Sequence, residues 1–95
     1  ATDILVHKTH ANAFYQTDLQ AQLTMLGCQS LEICGAQVEF CVDTTIKMAH
    51  GLGYQLKMVR GLPTTPANPM MSAQQTIDFY QARIWNHRFL TLVTA

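Results

Sequence analysis

Ninety-five residues, 48% hydrophobic and 13% charged, make one domain and exclude two, because pieces much under about fifty residues seldom hold a core of their own. Six Lys and Arg balance six Asp and Glu with no basic run, which argues against nucleic acid and membrane surfaces as partners. Apolar runs such as residues 4–6 fall far short of the ~20 residues of a membrane span, and no signal-peptide pattern opens the chain, so a soluble, cytoplasmic protein is expected.

Taken in chain order, Ile4, Leu5 and Val6 form a β-branched-rich run that predicts a first strand ending at His7 and Lys8. Thr17 or Asp18 can cap a helix whose apolar positions Leu19, Leu23 and Leu26 share one face, with Gly27 suited to its C-terminus. Residues 30–34 (SLEIC) predict a second strand, stopped by Gly35. From about Cys41 a second helix carries Val42, Ile46 and Ala49 on one face, and the GLG of residues 51–53 ends it. Residues 54–59 alternate enough for a third strand, and the stretch 61–69, with three prolines, is loop. Ser72 caps a third helix with Ala73, Ile77, Tyr80 and Ile84 on one side, and residues 89–93 close as a fourth strand. Strands and helices alternate with connections long enough for right-handed crossovers, so the expected class is α/β with a mostly parallel sheet.

In open sheets of this kind ligands bind beyond the carboxyl ends of the strands, where Lys8 and residues 35–41 both fall. In GAQVEFCV (35–42) a strand ends at glycine and a cysteine stands at or next to the start of the next helix. Such helix starts favour the thiolate, the form that attacks carbonyl carbon, and their free N–H groups can receive an oxyanion. The local pattern leaves a second reading open, in which Cys41 is a small core residue. Lys8 is either a partner for a carboxylate or thiolate, or a surface lysine lying along apolar atoms. Cys28 and Cys34, at spacings that fit neither a disulfide framework nor a CxxC motif, read as structural free thiols of a reducing compartment. His7, His10, His50 and His87 have no metal-binding spacing, so neither metal nor cofactor is expected.

Three blocks carry a family resemblance: VHKTHANAFYQTDLQAQL (6–23), GAQVEFCVDTTIKMAHGLGYQLKMV (35–59) and, more loosely, SAQQTIDFYQARI (72–84). In order and spacing they resemble the C-terminal half of the isochorismatase-like cysteine hydrolases, which include nicotinamidases, N-carbamoylsarcosine amidases, and ureidoacrylate and biuret hydrolases. The resemblance implies that residues 1–95 are the C-terminal part of one three-layer α/β/α, Rossmann-like hydrolase domain, incomplete on its N-terminal side. By resemblance, Cys41 is the nucleophile, Lys8 the catalytic lysine, the backbone N–H groups of Gln37 and Cys41 the oxyanion hole, and Ala36-Gln37 a cis peptide. The implied reaction is hydrolysis of a small amide or ureido-type C–N bond through a thioester.

The family's aspartate belongs to the N-terminal half, and Asp3, Asp18, Asp43 and Asp78 do not stand at a strand end to replace it. That half would also supply two strands between this chain's first and second. The chain alone is therefore expected to be inactive and to associate, as a homo-oligomer or with the N-terminal half. Within the matched region Gly61-Leu62, Phe79-Tyr80 and Gln37-Val38 depart from the usual family residues. The alternative is a non-catalytic binding or assembly module on the same scaffold. A thiol redox protein is a weaker third choice, because no resolving cysteine lies near Cys41 in sequence.

Overall fold

A computed structural model describes residues 3–94. The leucine face predicted after Asp18 becomes helix α1 (Leu19–Met25). Asp18 occupies the N-cap position but its carboxylate makes no capping bond, accepting instead from Gln22 Nε2 at 3.4 Å, while Thr17 Oγ1 accepts the Leu19 N–H at 3.2 Å. Gly27, at φ +71°, takes the left-handed turn that ends the helix, a conformation glycine adopts without a steric cost. Strand β1 (Ser30–Glu32) follows, two residues shorter than the pattern suggests, although Ile33 N–H still bonds the Lys57 carbonyl at 3.0 Å. Cys34 thus lies beyond the strand and is exposed, not a structural thiol inside it.

The second helical run starts earlier than expected. A wide π turn over Val38–Val42 leads into helix α2 (Asp43–Gly51), and Val38, Val42, Ile46 and Ala49 form its buried stripe. Strand β2 (Gln55–Val59) buries Leu56 and Met58 while Gln55 and Lys57 stay exposed, the alternation of a sheet covered on one face. Helix α3 (Ala73–Phe79) opens on a capping box, with Ser72 Oγ accepting the Gln75 N–H at 3.0 Å and Gln75 Oε1 accepting the Ser72 N–H at 2.9 Å. It continues as a second π turn, Tyr80–Trp85, before strand β3 (Thr91–Val93).

The sheet order is β1-β2-β3 and both pairings are parallel, Ser30 opposite Gln55 and Lys57 opposite Thr91. Parallel neighbours need a crossover, which α2 and α3 supply. Trp85, Ile46, Met58 and Val38 are fully buried between these helices and the covered face. Each large side chain removed from water in this way contributes about 1.5–3 kcal/mol before entropy is counted. The described residues thus supply the sheet and one helical layer of an α/β fold.

Two expectations are corrected. Residues 4–6 form no strand: Leu5 is 80% exposed and Ile4 half-exposed, and no described residue pairs with their backbone. Apolar sequence alone cannot make a strand whose N–H and C=O groups lack a neighbour. In place of a two-strand gap inside a four-strand sheet, there are three strands, and among the described residues β1 is paired on one side only. The last strand is also shorter than residues 89–93: Leu90 makes an isolated bridge to Asn86, and its N–H turns back to the Trp85 carbonyl at 3.2 Å. Among the described residues no helix is long and apolar enough to cross a membrane.

Candidate active site

Beyond β1 the chain is held tightly. Gly35 sits at φ +125°, a backbone region L side chains rarely adopt, and its carbonyl accepts the Thr64 N–H at 2.8 Å. The Thr64 carbonyl in turn accepts the Val38 N–H at 3.1 Å, so the proline-rich loop clamps residues 35–38 from the side. Within this clamp the Ala36–Gln37 peptide bond is cis. The Gln37 carbonyl accepts N–H bonds from both Phe40 and Val42, each at 3.1 Å, which closes the wide turn over Gln37. Cys41 is half-buried in that turn, and its neighbour Phe40 is 59% exposed at the rim.

Lys8 reaches this turn from 33 residues away. Its Nζ lies 3.4 Å from Cys41 Sγ and donates to the His10 carbonyl at 3.1 Å. An ammonium at that distance presents a positive charge directly to the sulfur. The residues around Lys8 are tied down as well. Asn12 Oδ1 accepts the Phe14 N–H at 2.9 Å, the buried Phe14 ring stacks on Tyr54 at 6.0 Å, and Thr45 Oγ1 on α2 accepts the Ala13 N–H at 3.1 Å.

The two carboxylates nearest Cys41 in sequence are engaged elsewhere. Glu39 Oε1 accepts a hydrogen bond from the buried Thr65 hydroxyl. Asp43 accepts the indole N–H of Trp85 at 2.8 Å on one oxygen and pairs with Lys47 at 3.0 Å on the other. Burial, with the charge of Asp43 and to a lesser extent Glu39, raises the Tyr80 hydroxyl above its ordinary 10.0, against a lowering pull from Lys47.

Sequence reasoning selected Cys41, Lys8 and residues 36–37, and the structure brings them to one turn. It missed Thr45, Thr65 and Trp85, which hold the surrounding segments. Only Thr45 carried a local signal, since it stands four residues after Cys41, on the side of the helix that Cys41 occupies.

A chain with this parallel sheet and this post-strand turn can be compared with known proteins. The family profile of the isochorismatase domain matches residues 1–73. The chain belongs to the isochorismatase family. It is 31% identical over 86 residues to the isochorismatase family protein YwoC of Bacillus subtilis, covering 90% of this chain and 44% of YwoC. A crystal structure of an isochorismatase family protein superposes with a TM-score of 0.94 at 53% identity, covering 98% of this chain and 55% of that one. The fold is shared more distantly with a nicotinamidase from Staphylococcus aureus, at 21% identity and TM-score 0.73 over 92% of this chain and 51% of that one. It is also shared with N-carbamoylsarcosine amidase from Thermoplasma acidophilum, at 20% and 0.70 over 94% and 46%. The chain thus carries the isochorismatase-family hydrolase fold and spans about half the length of these relatives.

Proposed function

We propose that this chain supplies the thiol half of a cysteine-dependent amidohydrolase. Cys41 Sγ adds to the carbonyl carbon of a small amide or ureido compound, with Lys8 opposite the developing charge and the Gln37 and Cys41 N–H groups facing the oxyanion. The C–N bond then breaks, the amine leaves with an added proton, and water attacks the thioester to release the acid and regenerate the thiol. The observation that carries this reading is the 3.4 Å approach of Lys8 Nζ to Cys41 Sγ in a turn just past a parallel strand. That the solved relatives include a nicotinamidase and an N-carbamoylsarcosine amidase supports amide-like substrates.

The proton delivered to the leaving amine needs an acid. Glu39 and Asp43 are held by Thr65 and by Trp85 with Lys47, so on this proposal the acid comes from a further polypeptide segment, which these 95 residues recruit by association. The test is ammonia or amine release from nicotinamide and N-carbamoylsarcosine by the complete protein and its Cys41→Ala variant. Loss of turnover with an unchanged circular dichroism spectrum is expected; turnover retained by the variant would show that another group attacks. A non-catalytic module on the same scaffold is the second reading, favoured by the engagement of both nearby carboxylates, and it predicts no release from either compound by the complete protein.

A further inference from the structure

Lys8 is an exposed, flexible side chain on a segment that forms no strand, yet its ammonium lies at the thiol. Something outside Lys8 must hold it there, because a free lysine loses about 2 kcal/mol of rotamer entropy when fixed in one geometry. The backbone bends over residues 9–12, and Thr45 Oγ1 bonds it on both sides of Asn12. The hydroxyl accepts the Ala13 N–H at 3.1 Å and donates to the Ala11 carbonyl at 3.4 Å. The next carbonyl upstream, that of His10, is the one that accepts Lys8 Nζ at 3.1 Å. Thr45 and Cys41 lie about one helical turn apart on the same side of the run, so a short circuit closes: Cys41 Sγ, Lys8 Nζ, His10 carbonyl, Ala11 carbonyl, Thr45 hydroxyl, and back along the helix to Cys41.

We propose that Thr45 is a positioning residue: its hydroxyl, used as donor and acceptor at once, registers residues 8–13 against the helix that carries Cys41 and thereby sets the Lys8 ammonium at the thiol. This rests on the functional reading of Lys8 and Cys41 given above. A hydroxyl is required on two counts, because valine has the shape but neither donor nor acceptor, and alanine leaves both backbone groups without a protein partner. Other anchors of the segment act further from Lys8: the Asn12 amide closes a turn onto Phe14, and the Phe14 ring fixes the far end against Tyr54. The Thr17 hydroxyl holds the Ala13 carbonyl at 2.6 Å, and among the described residues only Thr45 bonds the Ala11 carbonyl and the Ala13 N–H.

The charge beside the thiol can be read without a substrate. Anionic iodoacetate and neutral iodoacetamide alkylate the same sulfur, and their rate ratio at Cys41 rises when a fixed cation lies within a few ångströms. The ratio is measured on the full chain by mass spectrometry of the Cys41 peptide, which separates it from Cys28 and Cys34. Lys8→Met should lower the ratio about two- to fivefold at low salt. Thr45→Val should lower it by a similar factor with Lys8 still present, and Thr45→Ser, which keeps the hydroxyl, should restore it. A merely structural role for Thr45 would change both reagents' rates together and leave the ratio alone. If Lys8→Met lowers the ratio but Thr45→Val does not, the positioning role is overturned and Lys8 keeps its place; if Lys8→Met leaves it unchanged, both fall. In the unsubstituted chain the Ala13 amide should exchange slowly with deuterium, and exchange at the rate of an unstructured peptide would overturn the proposal even if Thr45→Val failed to fold.

Discussion

Replacing Trp85 by Phe perturbs a buried side chain that joins the end of the α3 run to the start of α2. Trp85 is fully buried, and its indole N–H donates to Asp43 Oδ1 at 2.8 Å. A hydrogen bond to a charged acceptor contributes about 1.5–3 kcal/mol net, and phenylalanine offers no donor in its place. Shrinking the indole to a phenyl ring also removes three ring atoms from a packed site, at a further cost of about 1–2 kcal/mol in transfer and cavity terms. The sum, about 2.5–5 kcal/mol, is a large share of the roughly 5–14 kcal/mol that 95 residues at ordinary stability per residue would possess. For a chain of this size each kcal/mol shifts Tm by about 4–8 °C, so Trp85→Phe should melt at least about 10 °C below the parent. Circular dichroism at 222 nm, followed through heating and through urea, is the suitable assay, because the variant loses the only tryptophan and with it the fluorescence signal. A fall of less than about 3 °C would refute the reasoning, since it would mean that the Asp43 carboxylate is satisfied without the indole and that the core closes over the missing atoms.

Tyr80 should titrate above its ordinary value of 10.0, because burial and the Asp43 and Glu39 charges disfavour the phenolate. With a folded value raised above the unfolded one, its contribution to stability is complete below about pH 10 and is lost as pH rises through the folded value. Ultraviolet difference titration in a Tyr15→Phe, Tyr54→Phe background should show this, and adding Asp43→Asn should move the Tyr80 transition to lower pH; an unmoved transition would remove Asp43 as a cause. The side of β1 that is unpaired among the described residues, together with Leu5, Met25 and Leu26 at 62–80% exposure, leads us to expect self-association or capture of a further segment. Light scattering should then give a mass above 10.6 kDa, and a clean 10.6 kDa monomer would count against it.

What could be read from the sequence divides along the range of the interactions. Helices α1 and α3 and strand β2 are set by signals within about a dozen residues: the leucine face before Gly27, the Ser72–Gln75 box, the alternation of Leu56 and Met58. The start of the second helical run escaped because Gln37, at its N-cap, makes no side-chain capping bond, so the wide turn over Val38–Val42 has no local marker. Residues 4–6 have a strand's composition, but strand formation depends on neighbours that no described residue provides. The site followed the same rule. Cys41 beside a helix start is visible locally, whereas its proximity to Lys8 spans 33 residues: the strand-end rule puts both on one edge of a sheet, and the family resemblance pairs them. The Thr45 clasp spans 32 and 34 residues and joins a side chain to backbone groups, so the sequence marks only its helical end, four residues after Cys41, and not its partners.

The way the carboxylates are used bears on the division of labour in the proposed reaction. A general acid has to be free to approach the leaving nitrogen, and it must be able to give up and regain its proton during each cycle. Asp43 fails the first condition: one oxygen holds the buried indole, the other holds Lys47, and withdrawing it would leave Trp85 N–H unpaired inside the core. Glu39 is similarly committed to the buried Thr65, whose neighbour Thr64 clamps the turn on which the proposed oxyanion donors lie. Freeing either acid would loosen the geometry that places the thiol. The residues that hold the cradle of Cys41 and Lys8 are thus committed to it, and on the proposed reading the acid comes from a separate stretch of polypeptide. On that reading the edge of β1 that is unpaired among the described residues is the place at which the further stretch adds to the sheet.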